Sequence, residues 1–270
     1  MPDSTDSSAR SPAPSLAGAQ TLARGLEVLR AVAAGATNLR AVVQTTGLPR
    51  STAHRLMQLL REYGYLQSAN GSDYVLGPTL IELGFRAVEQ NPVPRVARPL
   101  LQELADSLKD TVHLAIEDSG QVLYLDKING QRGAEMRSRV GQRMPLTRTG
   151  VGMALLLDRP AEWATLYQAE AAVSAPARSP DQFVNRMRRY AAQGAAFDLE
   201  DNEIGIRCVA APVRGPTDEI VAAISVSATT PYMSSARMRS LVPVITRVSE
   251  QVSRRLGYAS LPPSPGANVE

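Results

Sequence analysis

A single cysteine, Cys208, stands in a chain of 270 residues, so no intrachain disulfide can form. Only two histidines accompany it, His54 and His113, too few to build a zinc cluster of ordinary ligand spacing. No metal or cofactor is therefore expected. Apolar runs fall far short of the ~20 residues that cross a bilayer. The N-terminus carries Asp3 and Asp6 and has no basic region leading into an apolar stretch, which excludes a signal peptide reading. A soluble cytoplasmic protein is the plain expectation. Bulk charge is lacking as well: the net charge is +3, although the pI of 9.2 lies on the basic side. Any contact with nucleic acid must then come from a local patch rather than an overall field. Internal repeats are absent too, and with 44% hydrophobic residues the length suits about two ordinary domains.

Residues 38–76 are the informative stretch. Leu39, Val42 and Val43 have the spacing of one helical face, and Asn38 is placed to cap it. Gly47 stops this helix and Pro49 restarts one, because glycine tolerates positive φ and proline costs nothing in a first turn. In the second helix Ala53, Leu56, Leu59, Leu60 and Tyr63 follow the helical period and are expected in the core. Arg50, Ser51, Thr52, His54, Arg55, Gln58 and Arg61 then fall largely opposite, with no acid before Glu62. Such a face suits the DNA major groove, where arginine forks onto guanine and hydroxyls reach phosphates or bases. Gly64 ends the helix, and residues 65–67 and 74–76 read as two short strands around a turn-rich loop. Helix, turn, helix and hairpin make a winged helix-turn-helix. From Gln20 to Asn91 seven arginines meet five acids, so this region is only weakly basic and depends on where its arginines point.

The segments GLPRSTAHRLMQLLREYGYL and GPTLIELG resemble the N-terminal domain of IclR-type bacterial transcription regulators. Further on, RTGVGMALL and GIRCVAAPV resemble that family's effector domain, and the resemblance runs over residues 21–256. It implies a ligand-responsive regulator of a catabolic operon, without catalysis, whose second domain is similar to GAF-type sensors.

Taken in order, residues 1–18 are rich in Ser, Pro and Ala and are expected to be a disordered tail. The winged domain is expected over 19–77, with Leu22, Leu26, Leu29 and Ala33 as the core stripe of a support helix. A linker helix over 78–92 carries Leu80, Ile81, Leu83 and Phe85, and needs somewhere to bury them. A second copy is one solution, since the resemblance implies that this region contributes to dimers; packing on its own winged domain is the other. The effector domain is expected over 93–256, with a helix, a hairpin turning at Asp118-Ser119-Gly120, and a strand over 134–140. Helices over 150–158, 161–171 and 180–193 follow. Strands over 208–213 and 220–228 and a closing helix over 234–256, kinked by Pro243, complete an α+β domain with an antiparallel sheet. Residues 257–270, with three prolines, read as a tail.

A pocket is suggested at Thr149-Gly150-Val151-Gly152, where small residues open an apolar helix and its first N–H groups favour an anion such as a carboxylate. Glycines before a buried helix also serve packing alone. The resemblance implies an effector cavity lined by Met136, Gly150, Val151, Asp198, Cys208, Ser225 and Ser227. Ser225 and Ser227 are two apart on one strand and so share a side of the sheet. Two departures stand out. Met153 replaces the family's frequent lysine, removing a charge near the helix start. Ala195 replaces an aromatic and is expected to enlarge the cavity, which would suit an aromatic acid.

The expected partners are therefore double-stranded operator DNA, a small carboxylate effector and further copies of the chain, as a dimer or dimer of dimers. Two other classes of function compete. One is a hydrolytic enzyme using Cys208 or Ser225, weakened because no motif ties His113 to either as a base. The other is a winged helix used only for protein contacts, which burial of Arg50 and Arg55 in an interface would favour.

Overall fold

The computed structural model describes residues 20–71, 73–133, 136–173 and 178–259. The tail expected over 1–18 lies outside them, as does the tail expected over 257–270 apart from residues 257–259. The chain forms two compact units, Met1–Gln90 and Asn91–Glu270.

In the first unit α1 (Gln20–Ala33), α2 (Leu39–Thr46) and α3 (Arg50–Glu62) enclose a core, followed by the hairpin β1 (Leu66–Ser68) and β2 (Tyr74–Leu76). Asn38 caps α2 by accepting from the Ala41 N–H at 3.0 Å, and Gly47 closes it at φ 67°. The hairpin pairs Leu66 with Leu76 and Ser68 with Tyr74, which makes the wing. Two expected core stripes are corrected. On α1 the buried residues are Gly25, Val28, Ala31 and Val32, while Leu22 and Leu26 are exposed. The small-residue side lets the neighbouring helices approach; of the expected stripe Leu29 still packs partly against this core, while Leu22, Leu26 and Ala33 are left outward. On α3 the seam is Ala53, Leu56 and Met57, with Leu60 partly buried; Leu59 and Tyr63 are exposed. The seam turns one residue earlier than the leucine pattern suggests, because Met57 fills the core as well as a leucine would.

Next comes α4 (Pro78–Gln90), the expected linker helix. Its first turn is fastened to the end of α3: Thr79 Oγ1 donates to the Tyr63 carbonyl at 3.1 Å. None of its residues is buried.

The second unit opens with α5 (Pro92–Leu108), capped by Asn91. A six-stranded antiparallel sheet follows, built from β3 (Thr111–Asp118), β4 (Gln121–Ile128), β5 (Arg143–Met144), β6 (Ala196–Leu199), β7 (Ile206–Arg214) and β8 (Ile220–Thr229). Its spatial order is β5-β4-β3-β8-β7-β6. α5 and α9 (Ser235–Arg255) cover one face through Leu101, Leu104, Ile224, Val226, Leu241 and Ile245. On the other face lie α6 (Gly150–Leu155), α7 (Trp163–Val173) and α8 (Pro180–Gln193), packed through Leu146, Met153, Leu156, Phe183 and Met187. The fold is thus a winged helix-turn-helix plus an α+β domain. α9 runs through Pro243 as one helix.

Three expectations about elements change. No strand forms over 136–140; residues 134 and 135 lie outside the described part. Lys127 Nζ donates to the carbonyls of Met136 and Ser138, at 2.6 and 2.9 Å, where a strand partner's amides would otherwise stand. α6 ends at Leu155 rather than 158. And β5 and β6, neither foreseen, form the two sheet edges: runs of two and four residues are too short for the alternation to show.

Candidate DNA-reading helix and effector cavity

On α3, Arg50, Ser51, His54, Arg55 and Gln58 are exposed and Thr52 is half-buried. Their spacing puts them on one side of the helix, opposite Ala53, Leu56 and Met57. His54 Nε2 and Gln58 Nε2 lie 3.3 Å apart along this face. Arg50 and Arg55 are free at the surface rather than covered.

In the second unit, strand alternation and register assemble a polar patch on the α6 side of the sheet. Across β6, β7, β8 and β3 one row reads Asp198, Cys208, Ser227, Thr111; the next reads Ala196, Ala210, Ser225, His113. Tyr124 on β4 lies beside them, its ring 5.1 Å from the His113 ring. Above the patch stand Gly150 and Val151 of α6 and the segment from Met136 to Met144, enclosing a cavity of about 90 Å³. All seven residues assigned to an effector site, Met136, Gly150, Val151, Asp198, Cys208, Ser225 and Ser227, line this one cavity. Ala195 is not among the lining residues; it is fully buried elsewhere, so it does not enlarge the space.

The glycine at 150 has a steric cause. A Cβ there would stand 2.3 Å from Cys208 Sγ, closer than any real contact. α6 therefore begins directly against the sheet. Thr149 caps it, accepting from Gly152 N–H at 3.1 Å. Of the anion-binding amides expected here, that one is already engaged, and the helix has six residues. The hydroxyls of the sheet carry more of the site's polarity than the helix end does.

Burial governs its electrostatics. Asp198 is pushed up to about 7 by desolvation, against the pull of nearby amides and of Arg186 and Arg178. Its Oδ1 accepts from the Asp201 N–H at 2.8 Å. Burial also raises Cys208 and Tyr124 well above their usual values. His113 is held down to about 3, by burial first and by Lys127 second, so the ring is neutral. Met153 carries no charge, yet a cation reaches it. The buried Arg186 guanidinium lies 3.4 Å from Met153 Sδ and pairs with Asp201 at 2.6 Å.

His113 was the residue the pattern alone could not place. Its Nδ1 lies 3.4 Å from both Ser225 Oγ and Ser227 Oγ, and its Nε2 lies 2.7 Å from Ser138 Oγ. A serine thus does face a histidine, yet the group behind the ring is a hydroxyl rather than a carboxylate. With the ring so weakly basic and the Cys208 thiol held protonated, this is not a nucleophile and its base.

A DNA-reading winged helix joined to a sensor-like domain with a small polar cavity defines a ligand-responsive transcription regulator. The comparisons with known proteins specify it further. Residues 21–69 match the model of the IclR helix-turn-helix domain, and residues 85–254 match that of the bacterial transcriptional regulator IclR C-terminal region. The chain belongs to the IclR family of transcription regulators and is not an enzyme. It is 32% identical over 246 residues to the HTH-type transcriptional regulator XynR of Escherichia coli, covering 88% of this chain and 98% of that one. It is 30% identical to the regulator KdgR of the same organism, over 81% of this chain and 85% of that one. The crystal structure of a putative transcriptional regulator from Rhodococcus shares its fold at a TM-score of 0.76, with 26% identity and coverage of 88% and 98%. An IclR homolog from Microbacterium hydrocarbonoxydans, solved with 4-hydroxybenzoate, shares the fold at a TM-score of 0.73 and 20% identity, over 87% and 98% of the two chains.

Among the described residues no helix is long and apolar enough to cross a membrane, and no group of side chains is arranged to hold a metal ion.

Proposed function

We propose that this regulator controls a catabolic operon in the cytoplasm, acting as a homodimer or dimer of dimers, in response to a small organic acid bound in the second unit. The observation that carries the ligand class is the pair of hydroxyls, Ser225 and Ser227, buried side by side on the sheet with Asp198 on the same face. Two O–H donors on one side of a cavity match the two oxygens of a carboxylate. Asp198, which burial raises to about 7, can donate to a ligand oxygen when protonated or accept from a ligand hydroxyl when ionised. The domains are read as 19–77 for DNA, 78–92 for the linker helix and 93–256 for the effector. Arg50, Ser51, Thr52, His54, Arg55 and Gln58 are the DNA-contacting set.

Size narrows the ligand. An engineered apolar cavity that takes up benzene measures ~150 Å³, against about 90 Å³ here. A compact acid such as pyruvate fits better than an aromatic one. The acid complexed by the Microbacterium homolog makes the ring-sized class worth testing beside it. Coupling to DNA requires that the acid bind one arrangement of the two units better than another.

The test is a panel of acetate, pyruvate, 4-hydroxybenzoate and related acids, read by thermal stabilisation. An acid at about 100 times its Kd should add about 2.7 kcal/mol. Combining Ser225→Ala with Ser227→Ala should cost about 1–3 kcal/mol for each oxygen left unpaired. Unchanged affinity in the folded double variant would remove the serines from the site.

A further inference from the structure

We propose that His113 reads effector occupancy, its ring acting as a tautomeric relay between the sheet hydroxyls Ser225 and Ser227 and the hydroxyl of Ser138 on the segment that closes the cavity. The inference rests on the carboxylate reading above and adds the residue and route by which a bound carboxylate is felt.

The geometry leaves few choices. A neutral imidazole has one N–H donor and one lone-pair acceptor, on different nitrogens. Here Nδ1 faces the two serine oxygens at 3.4 Å and Nε2 faces Ser138 Oγ at 2.7 Å. His113, Ser225 and Ser227 are all buried, so each proton has to find a partner. Burial and the neighbouring Lys127 keep the ring uncharged, which leaves the two tautomers as its accessible states.

Ser225 Oγ lies 3.4 Å from His113 Nδ1, and in the relay the ligand-free serine donates its proton to that nitrogen. Ser227 also reaches the Cys208 sulfur. Nδ1 then carries the lone pair, the ring proton sits on Nε2, and Ser138 Oγ accepts. A carboxylate placed on the serines reverses this. Each serine has one proton, and the anion takes both. Their oxygens can then only accept, so Nδ1 must bear the ring proton and Nε2 must accept from Ser138. Four protons are present before and after: three on serines and one on the ring. The ring proton exchanges between nitrogens through water, and no charge is created.

Ser138 is where the change leaves the sheet. Its carbonyl, like that of Met136, is held by Lys127 Nζ, and the segment returns to β4 through Gly141 N–H on the Tyr124 carbonyl at 2.8 Å. Switching the Ser138 hydroxyl from acceptor to donor fixes its rotamer onto the ring. The closing segment is thereby tied to an occupied cavity.

The experiment uses the full chain labelled with ¹⁵N in its histidine rings. There are only two histidines, and His54→Gln assigns them. Ring-nitrogen shifts distinguish protonated from bare nitrogen directly. The proton is expected on Nε2 in the free protein and on Nδ1 when pyruvate or 4-hydroxybenzoate saturates it, with the matching neutral amides producing no change. In parallel, amide exchange over residues 136–142 should slow on acid binding by about tenfold, and Ser138→Ala should abolish that slowing while the tautomer still switches. A free protein with the proton on Nδ1, or with a charged ring, overturns the relay. So does an acid that binds, as judged by thermal stabilisation, without moving the proton. If no acid in the panel stabilises the protein, the carboxylate reading itself falls and the relay with it.

Discussion

Asp198 is the side chain in the cavity whose charge changes near neutrality. A free aspartate ionises near 3.8, whereas burial lifts this one to about 7. Between those values the folded protein keeps a proton that the unfolded chain has lost. Stability from this group therefore falls as pH rises from about 4 to about 7, and then levels off. An anionic ligand sharpens the effect, because ionised Asp198 would face a carboxylate across the same sheet. Acid affinity is expected to weaken as pH rises through about 7, by at most about tenfold per unit. The titratable groups beside Asp198 do not mask this: burial pushes Cys208 and Tyr124 up and holds His113 down, all away from neutrality. Calorimetric titration on either side of neutrality checks it, and Asp198→Asn should flatten the profile. A profile unchanged by that substitution would assign the pH dependence elsewhere. On α3, Arg55 lies off the apolar seam, so Arg55→Ala should leave the fold intact. Operator affinity should drop by about 1–3 kcal/mol if the side chain reads a base. Equal affinity across several salt concentrations would exclude it.

Among the described α-helices, α4 is the one without a buried residue of its own. Ile81, Leu83, Phe85 and Val88 are 63, 45, 69 and 47% exposed, and Leu22 and Leu26 on α1 are exposed as well. That much apolar surface on two helices is best explained by a second copy, where it would be removed from water. Leu83→Asp should accordingly lower self-association, because a charge on a buried apolar face is costly without a partner. Sedimentation equilibrium is the measurement, and an unchanged oligomeric state would show that α4 is not the interface. The contrast with α3 is instructive. Both helices read as amphipathic, but the pattern overstated α3: its Leu59 and Tyr63 look like core residues and are not. A leucine periodicity states which side is apolar, and not whether a partner inside the same unit covers it.

For the whole molecule, two-fold symmetry of a dimer would present paired α3 helices to DNA and so require a pseudo-palindromic site. Its half-sites are expected about 34–36 Å apart centre to centre, or a multiple of this. Footprinting over the regulator's target region checks the spacing, and protection of a single asymmetric half-site would argue against a dimeric reader. What the sequence by itself determined is whatever depends on neighbours in the chain. The Asn38 cap, the Gly47 stop, the hairpin turn at Ser119 and Gly120, and the alternation of Ser225 with Ser227 are local matters of capping, φ and pleat. The class of protein followed from those, together with the family likeness of the motifs. Tertiary structure decided what depends on register between distant strands. His113 and Ser225 are 112 residues apart and become direct neighbours only because β3 pairs with β8 rather than with its sequence neighbour alone. Gly150 is required because a helix start meets Cys208 from another strand, and Met153 meets a cation because α8 brings Arg186 there. No periodicity encodes such meetings, since they are settled by which sheet edge and which face the packing of separate elements leaves closest.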